Sequence, residues 1–405
     1  MPVLTRRALL AASAAGLTLA AAPARPAVSA TVPSPAFLKA VNALGLKVLA
    51  ERLAADPKAS HAVSPLSLGG ALALLAQGAA GGTEARLRAA LGGRSAGEAA
   101  GDWRHLRDLT KPRTADTLTV ALANGLWHAP GLEVGGGAAE RLKDAMAAAV
   151  AGLDFTDPKA VETVNAWARD NSDGMIPALL DRLEGNTELV LASALAFKAN
   201  WATAFAADRT QPLPFAGADG VTVAIPTMAR SDAAFTHRRA ANHEAVLLPY
   251  ADPAFALALA LPGKGVAPAA LLADGEWLDT DLFIPRPGEL LLPRVELSPR
   301  YDLTDPKASP TMATLLSGPV DLSGLGKAWQ DNPQTMGQAV QAVALRWDES
   351  GTQAAAATAF ATSRGLSDGE GSPFTLHFDR PFAFALLHLP TGAILLAGAV
   401  NRLQA

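Results

Sequence analysis

The sequence predicts an α+β domain, and three observations carry that reading. Helical periods of apolar residues crowd the first half of the chain. Short apolar runs of strand length crowd the second half and end in a hairpin. No regular strand–helix alternation runs through the sequence, so a doubly wound parallel sheet is not expected. The chain has 405 residues, 50% of them hydrophobic, enough for a large core. No linker long or polar enough divides residues 31–405, so they read as one domain.

Residues 1–30 stand apart. Arg6 and Arg7 precede an apolar run from Ala8 to Ala22, too short for a membrane span, and small residues close it at Ala30. This is the pattern of a removed export signal. Its Thr-Arg-Arg-x-Leu-Leu order resembles a bacterial twin-arginine signal. The expected location is therefore periplasmic or extracellular. Losing Arg6, Arg7 and Arg25 with no acid moves the formal charge from −4 to −7. That balance favours neither nucleic acid nor an anionic membrane.

The elements follow in order. "SPAFLKAVNALGLKVLAERLAAD" carries Phe37, Leu38, Val41, Leu44, Val48, Leu49 and Leu53 at helical spacing, with Ser34 as cap and Pro35 in the first turn. "HAVSPLSLGGALALLAQG" is apolar all round and reads as a buried helix ended by Gly78. A helix starting at Thr83 follows. "DTLTVALANGLWHA" alternates as a strand, and "DPKAVETVNAWARDNSDGMIPALL" is helical with a break at Asp173-Gly174. From Leu189 onward come "LVLASALAFKANWATAF", "FALALALPG", "GELLLPRVEL" and the hairpin "PFAFALLHLPTGAILLAGAVN".

Several chemistries are excluded or unsupported. With no cysteine, disulfides, thiolate metal sites and a Cys nucleophile are absent. There is no Gly-x-Ser-x-Gly elbow, no Ser-x-x-Lys pair and no His-Glu-x-x-His. "VGGGAAE" lacks the strand–glycine–helix context of a dinucleotide site. The seven histidines are scattered singly, and His388 reads as a satisfied core side chain. No metal or organic cofactor is implied, and nothing indicates an enzyme.

One tract does not fit a simple loop: "WDESGTQAAAATAF", Trp347 to Phe360. Gly351 frees the backbone, and Thr352 and Ala354, Ala355, Ala356 and Ala357 carry small side chains. Such a ribbon can pass between two packed strands, where large or charged side chains would be buried at a cost of roughly 1–3 kcal/mol each or more. The bland alternative is a short Ala-rich surface helix. The polar, Gly-bearing "FATSRGLSDGEGSP" after it reads as an exposed loop.

The order of motifs resembles the serpin family across nearly all of residues 31–405. "SPLSLGGALALLAQGAAGGT" is similar to its buried helix and the next one. Phe197, Lys198, Trp201, Phe205 and Thr210 match its Phe-Lys-x-x-Trp strand. Pro249 and Tyr250 match its Leu-Pro-Tyr strand pair, "LLPRVEL" another strand, and Pro381, Phe382 and Gly398 the terminal hairpin. The resemblance implies helices around a large central sheet, smaller sheets and an exposed reactive-centre loop at 349–373. Glu349, Gly351, Thr352 and Ala354–Ala357 then correspond to the hinge of inhibitory members. The implied mechanism is that of a suicide substrate: a protease cuts the loop, forms an acyl-enzyme, and is trapped as the loop inserts as a strand. A loop left outside leaves stored energy that cleavage releases.

Counting from the hinge glycine, as in the family, places the cut at Arg364–Gly365; Arg364 is the only Lys or Arg between Trp347 and Arg380. That fits a trypsin-like pocket. Leu366 or Phe360 would suit chymotrypsin-like enzymes, and counting back from Pro381 gives Glu370. The implied partner is a serine protease, trypsin-like by preference, with subtilisin-like, chymotrypsin-like and cysteine proteases as alternatives. A monomer is expected. For sheet opening, Ser64 and Ser67 match the family, while Ser193 stands where Asn is usual and Gln341 where His is frequent. With Trp201 these are read as the sheet-opening cluster. Helix-capping is the plainer role for Ser64 and Ser67. A serpin fold whose loop is cleaved without trapping, and an exported hydrolase, are the competing readings.

Overall fold

The structure is a computed structural model and describes residues 33–109, 118–183, 186–316, 319–330, 334–352 and 373–404. The expected export signal at 1–30 lies outside them. Along the chain come α1 (Pro35–Ala55), β1 (His61–Val63), α2 (Pro65–Ala76), α3 (Gly81–Ala90) and α4 (Ala96–Leu109). Next are β2 (Leu118–His128), α5 (Gly136–Met146), β3 (Ala149–Gly152) and α6 (Lys159–Asp170). Strands then dominate: β4 (Leu189–Asn200), β5 (Gln211–Ala216), β6 (Thr222–Arg239), β7 (His243–Pro249) and β8 (Phe255–Pro262). After α7 (Pro268–Asp274) come β9 (Ile284–Pro293), β10 (Val295–Leu297) and β11 (Arg300–Asp302). α8 (Pro310–Leu316) precedes β12 (Pro319–Val320), β13 (Gln334–Trp347) and β14 (Gly351–Thr352). The last strands are β15 (Phe374–His377), β16 (Phe382–His388) and β17 (Ala393–Val400).

Two sheets organise these strands. One runs β1-β17-β16-β8-β7-β6-β9-β15, with β5 beside β6. The other runs β10-β13-β14-β4-β2-β3, with β11 and β12 also on β13. The hairpin β16–β17 pairs Phe382 with Val400, and its turn ends at Gly392, whose φ of +70° favours glycine. "GELLLPRVEL" is not one strand. The chain leaves the first sheet at Pro293, passes Arg294, and enters the second as β10.

The helix after "HAV" begins at Pro65, because Ser64 caps it and His61–Val63 pair instead with β17. All twelve residues of α2 are buried, and it packs against β2, β4 and β17, between the two sheets. That position explains its lack of a polar face. One helix start and one cap differ from expectation. α3 begins at Gly81, not Thr83, and the Thr83 hydroxyl accepts from the Asp321 N–H at 3.0 Å. Ser34 sits at the cap position of α1 without a side-chain cap; its N–H donates to Asp102 Oδ1 at 2.9 Å.

β4 is apolar from Leu189 to Phe197, Ser193 apart, because both faces are covered there. Leu191, Leu195 and Phe197 join the main core with the leucines of α2. Val190, Ala192 and Ala194, with Val340, Ala342 and Ala344 of β13, face Val164 and Ala168 of α6 and Leu179 and Leu180 beyond it. The Asn165 side chain fixes that covering segment, donating to Leu180 O and accepting from the Leu179 and Leu180 N–H groups.

Candidate functional site

The site is the seam between β4 and β13 and the start of a strand at its mouth. Below the mouth the two strands pair directly and in parallel, Leu189–Ala196 against Met336–Ala344. At the mouth, β13 turns back on itself. Asp348 Oδ1 accepts from Ser350 N–H at 2.9 Å, and Asp348 N–H donates to Gly351 O at 2.8 Å. Gly351 and Thr352 then run antiparallel to both neighbours: Thr352 faces Trp347 on one side and Ala199 on the other. A Cβ on Gly351 would overlap the Ala199 carbonyl oxygen, so glycine is required by close approach. Ala354–Ala357, Arg364, Gly365 and Leu366 lie outside the described residues.

The turn is clamped from several elements. Arg294 grips Glu349, with Nε 3.1 and 3.0 Å from its two carboxylate oxygens and Nη2 2.7 Å from Oε1. The Thr210 hydroxyl donates to the same carboxylate, and Phe205 N–H donates to Glu349 O at 2.8 Å. Burial acts to raise the Glu349 pKa, but the bonds from Arg294 and Thr210 outweigh it and hold the carboxyl below its ordinary value. Trp201 holds the turn twice, by its backbone N–H to Ser350 O (2.9 Å) and by Nε1 to Asp348 O (2.8 Å). Its ring stacks on Tyr250 at 4.7 Å, and Tyr250 Oη meets Thr352 Oγ1 at 2.6 Å.

Four of the sequence-predicted residues meet midway down the seam, all of them buried. Ser193 and Gln341 are register partners on β4 and β13. Gln341 brackets the first residue of the α2 cap: Ser64 N–H donates to its Oε1 at 3.1 Å, and its Nε2 donates to Ser64 O at 3.0 Å. Ser64 Oγ accepts from Ser67 N–H at 3.1 Å, and Ser67 Oγ bonds Ser193 Oγ. Ser64 is thus a helix cap and a seam residue at once. One helix start is tied to both strands of the seam, and every polar group named has a partner.

Trp201 does not join these four. It lies eight residues beyond Ser193 along β4, about 26 Å at the ordinary rise of a strand. It holds the turn at Asp348–Ser350 instead, through its N–H and Nε1, because β4 has ended at Asn200. Sequence reasoning also missed Arg294 and Asn124. Asn124 lies opposite Ser193 on β2, is buried, and has neither side-chain polar atom hydrogen-bonded among the described residues. A lone Asn inside the apolar "VALANGLWH" was the available signal. Thr210 and Tyr250, quoted only as motif positions, prove to touch Glu349 and Thr352. His388, read as a core residue, is buried with Nδ1 2.8 Å from Thr391 Oγ1.

Comparison with known proteins gives a consistent result. The family model described as Serpin (serine protease inhibitor) matches residues 39–403. Iripin-1 of Ixodes ricinus is 29% identical over 380 residues, covering 89% of this chain and 93% of its own. Plasminogen activator inhibitor 1 of Mus musculus is 29% identical over 373 residues, covering 88% and 90%. Among solved structures, the thermophilic serpin tengpin in its native state superposes with a TM-score of 0.81 at 21% identity, covering 93% of this chain and 96% of its own. Human glycosylated kallistatin gives 0.80 at 22%, covering 92% and 99%. At these identities the structural likeness establishes the fold.

Proposed function

Because the chain belongs to the serpin family of serine protease inhibitors, we propose that it traps a serine protease as a suicide substrate, by inserting its cleaved loop into the β4–β13 seam. The observation that carries this reading is β14. Two residues of the loop already run antiparallel between β13 and β4. Continuing in the same direction, the chain would exchange one parallel pairing for two antiparallel ones, with better-aligned bonds. In such an inserted strand, period-two alternation would put Ala354 and Ala356 on the same face as Thr352, and Ala355 and Ala357 on the other. Small side chains meet the covered faces at low steric cost.

Insertion would part Ser193 from Gln341 while both remain tied to α2. Their role as the opening cluster is part of this proposal. So is the scissile bond at Arg364–Gly365, which presents an Arg to a trypsin-like pocket. We further propose action outside the cytoplasm after loss of residues 1–30, as a single-domain monomer. No helix among the described residues is long and apolar enough to cross a membrane.

The test is incubation with trypsin-like, chymotrypsin-like, subtilisin-like and cysteine proteases. The expected outcome is a detergent-stable complex with a trypsin-like enzyme, release of a C-terminal peptide beginning at Gly365 in mass spectra, and a sharp loss of trapping in Arg364→Ala. Cleavage with no complex, and a melting temperature unmoved by the cut, would favour a serpin-fold protein that is a simple substrate. Undiminished trapping by Arg364→Ala would move the scissile bond elsewhere.

A further inference from the structure

A cavity of about 650 Å³ opens where β10, the end of β13 and the C-terminal residues meet. Arg294, Arg346 and Arg402 line it, against one lining carboxylate, Glu296. Register places Glu296 directly across from Arg346. Yet among the described residues the side chains of Arg346 and Arg402 donate no hydrogen bond and enter no ion pair, whereas Arg294 is engaged by Glu349. Ile225 and Leu403 add apolar wall beside the guanidiniums.

Three arginines around one concavity focus a positive potential there. Guanidinium forks match oxyanions in bidentate geometry, and the volume falls in the range of small-molecule sites. We propose that this cavity binds a small organic anion, an oxyanion head group (carboxylate, phosphate or sulfate) on an apolar body. Arg346 and Arg402 hold the head group, and Arg294 turns toward it. The cavity lies on the β10 side of β13, opposite the edge that pairs with β4, and binding does not depend on the inhibitory reading. Its consequence does: ligand and Glu349 compete for one guanidinium, so occupancy loosens the hinge turn. By reciprocity, removing the Glu349 charge tightens the ligand.

The test is calorimetric titration of the full chain at low salt with benzoate, phenyl phosphate and phenyl sulfate. Inorganic phosphate isolates the head group, and benzyl alcohol is the uncharged control. We expect saturable binding of at least one aromatic anion and none of benzyl alcohol. A double variant, Arg346→Gln with Arg402→Gln, loses about tenfold or more in affinity, the loss of a charged hydrogen bond. Lysine at the same positions keeps the charge but not the fork and recovers part of the affinity lost to glutamine, which separates charge from any folding defect. Glu349→Gln raises affinity several-fold. No saturable anion binding, or equal affinity in the glutamine variant, overturns the site. Unchanged affinity in Glu349→Gln overturns its coupling to the hinge and leaves the trapping assay as the independent measure of inhibition.

Discussion

Tyr250 Oη and Thr352 Oγ1 lie 2.6 Å apart, and both side chains are buried. Burial drives the phenol pKa far above its usual range, so the proton stays and the bond persists at any ordinary pH. This contact anchors the last described hinge residue to the "LPY" strand. Thr352→Val keeps the shape and orphans the phenol, at a cost of about 1–3 kcal/mol. Tyr250→Phe should cost a similar amount, and the double variant clearly less than the sum of the two. Strictly additive melting shifts would show that the bond contributes nothing.

Gly351→Ala should force the hinge out of the mouth of the seam, because the new methyl overlaps the Ala199 carbonyl. Overpacking of this kind costs roughly 1–3 kcal/mol. Amide hydrogen exchange in a peptide spanning 347–352 is the direct readout. Faster exchange with a lower melting temperature is expected, and wild-type exchange would mean that the backbone adjusts freely.

Glu349 links hinge stability to pH. Its folded pKa lies below the ordinary 4.5. The stabilisation from Arg294 and Thr210 is therefore complete above that value and is lost as pH falls through the lower folded pKa. The melting difference between wild type and Glu349→Gln should be constant near neutrality and shrink toward zero on acidification. A difference unchanged at strongly acid pH would place the pair's contribution elsewhere.

His237 carries the opposite type of group with the same direction of loss. Its ring is buried, stacks on Phe374 at 4.1 Å, and has neither nitrogen hydrogen-bonded among the described residues. Burial, with Arg286 and Arg239 nearby, lowers its pKa from 6.5 to about 4. The folded state holds the ring neutral while the unfolded chain accepts a proton from 6.5 downward, so stability declines between those two values. His237→Phe should remove a loss on the order of 1–3 kcal/mol at acid pH. Parallel acid melting curves for the two proteins would refute it. Phe374 begins the strand after the loop, so acid should first loosen that anchor.

Much of this was legible in residue order. The buried helix at Pro65, the terminal hairpin and the long apolar strand at Leu189 all announce themselves, because periodicity and turn residues act over a few neighbours. Ser64 and Ser67 were legible as a pair and Gln341 as a position. The partner each finds was not, since Ser64 meets Gln341 across 277 residues. Nor was the division of "GELLLPRVEL" between two sheets, or the convergence of Trp201, Tyr250, Arg294 and Glu349 on one turn.

By itself the sequence determined the α+β class, the serpin likeness and the small-sided tract after Gly351, all of which rest on local pattern and motif order. Only the tertiary structure decided that the seam is closed by direct β4–β13 pairing, that Gly351 and Thr352 already occupy its mouth, and that Trp201 bonds the turn at Asp348–Ser350 rather than meeting the serine cluster. Those outcomes depend on which strands become neighbours, and that is settled by burying both faces of a sheet at once, a property no single segment carries.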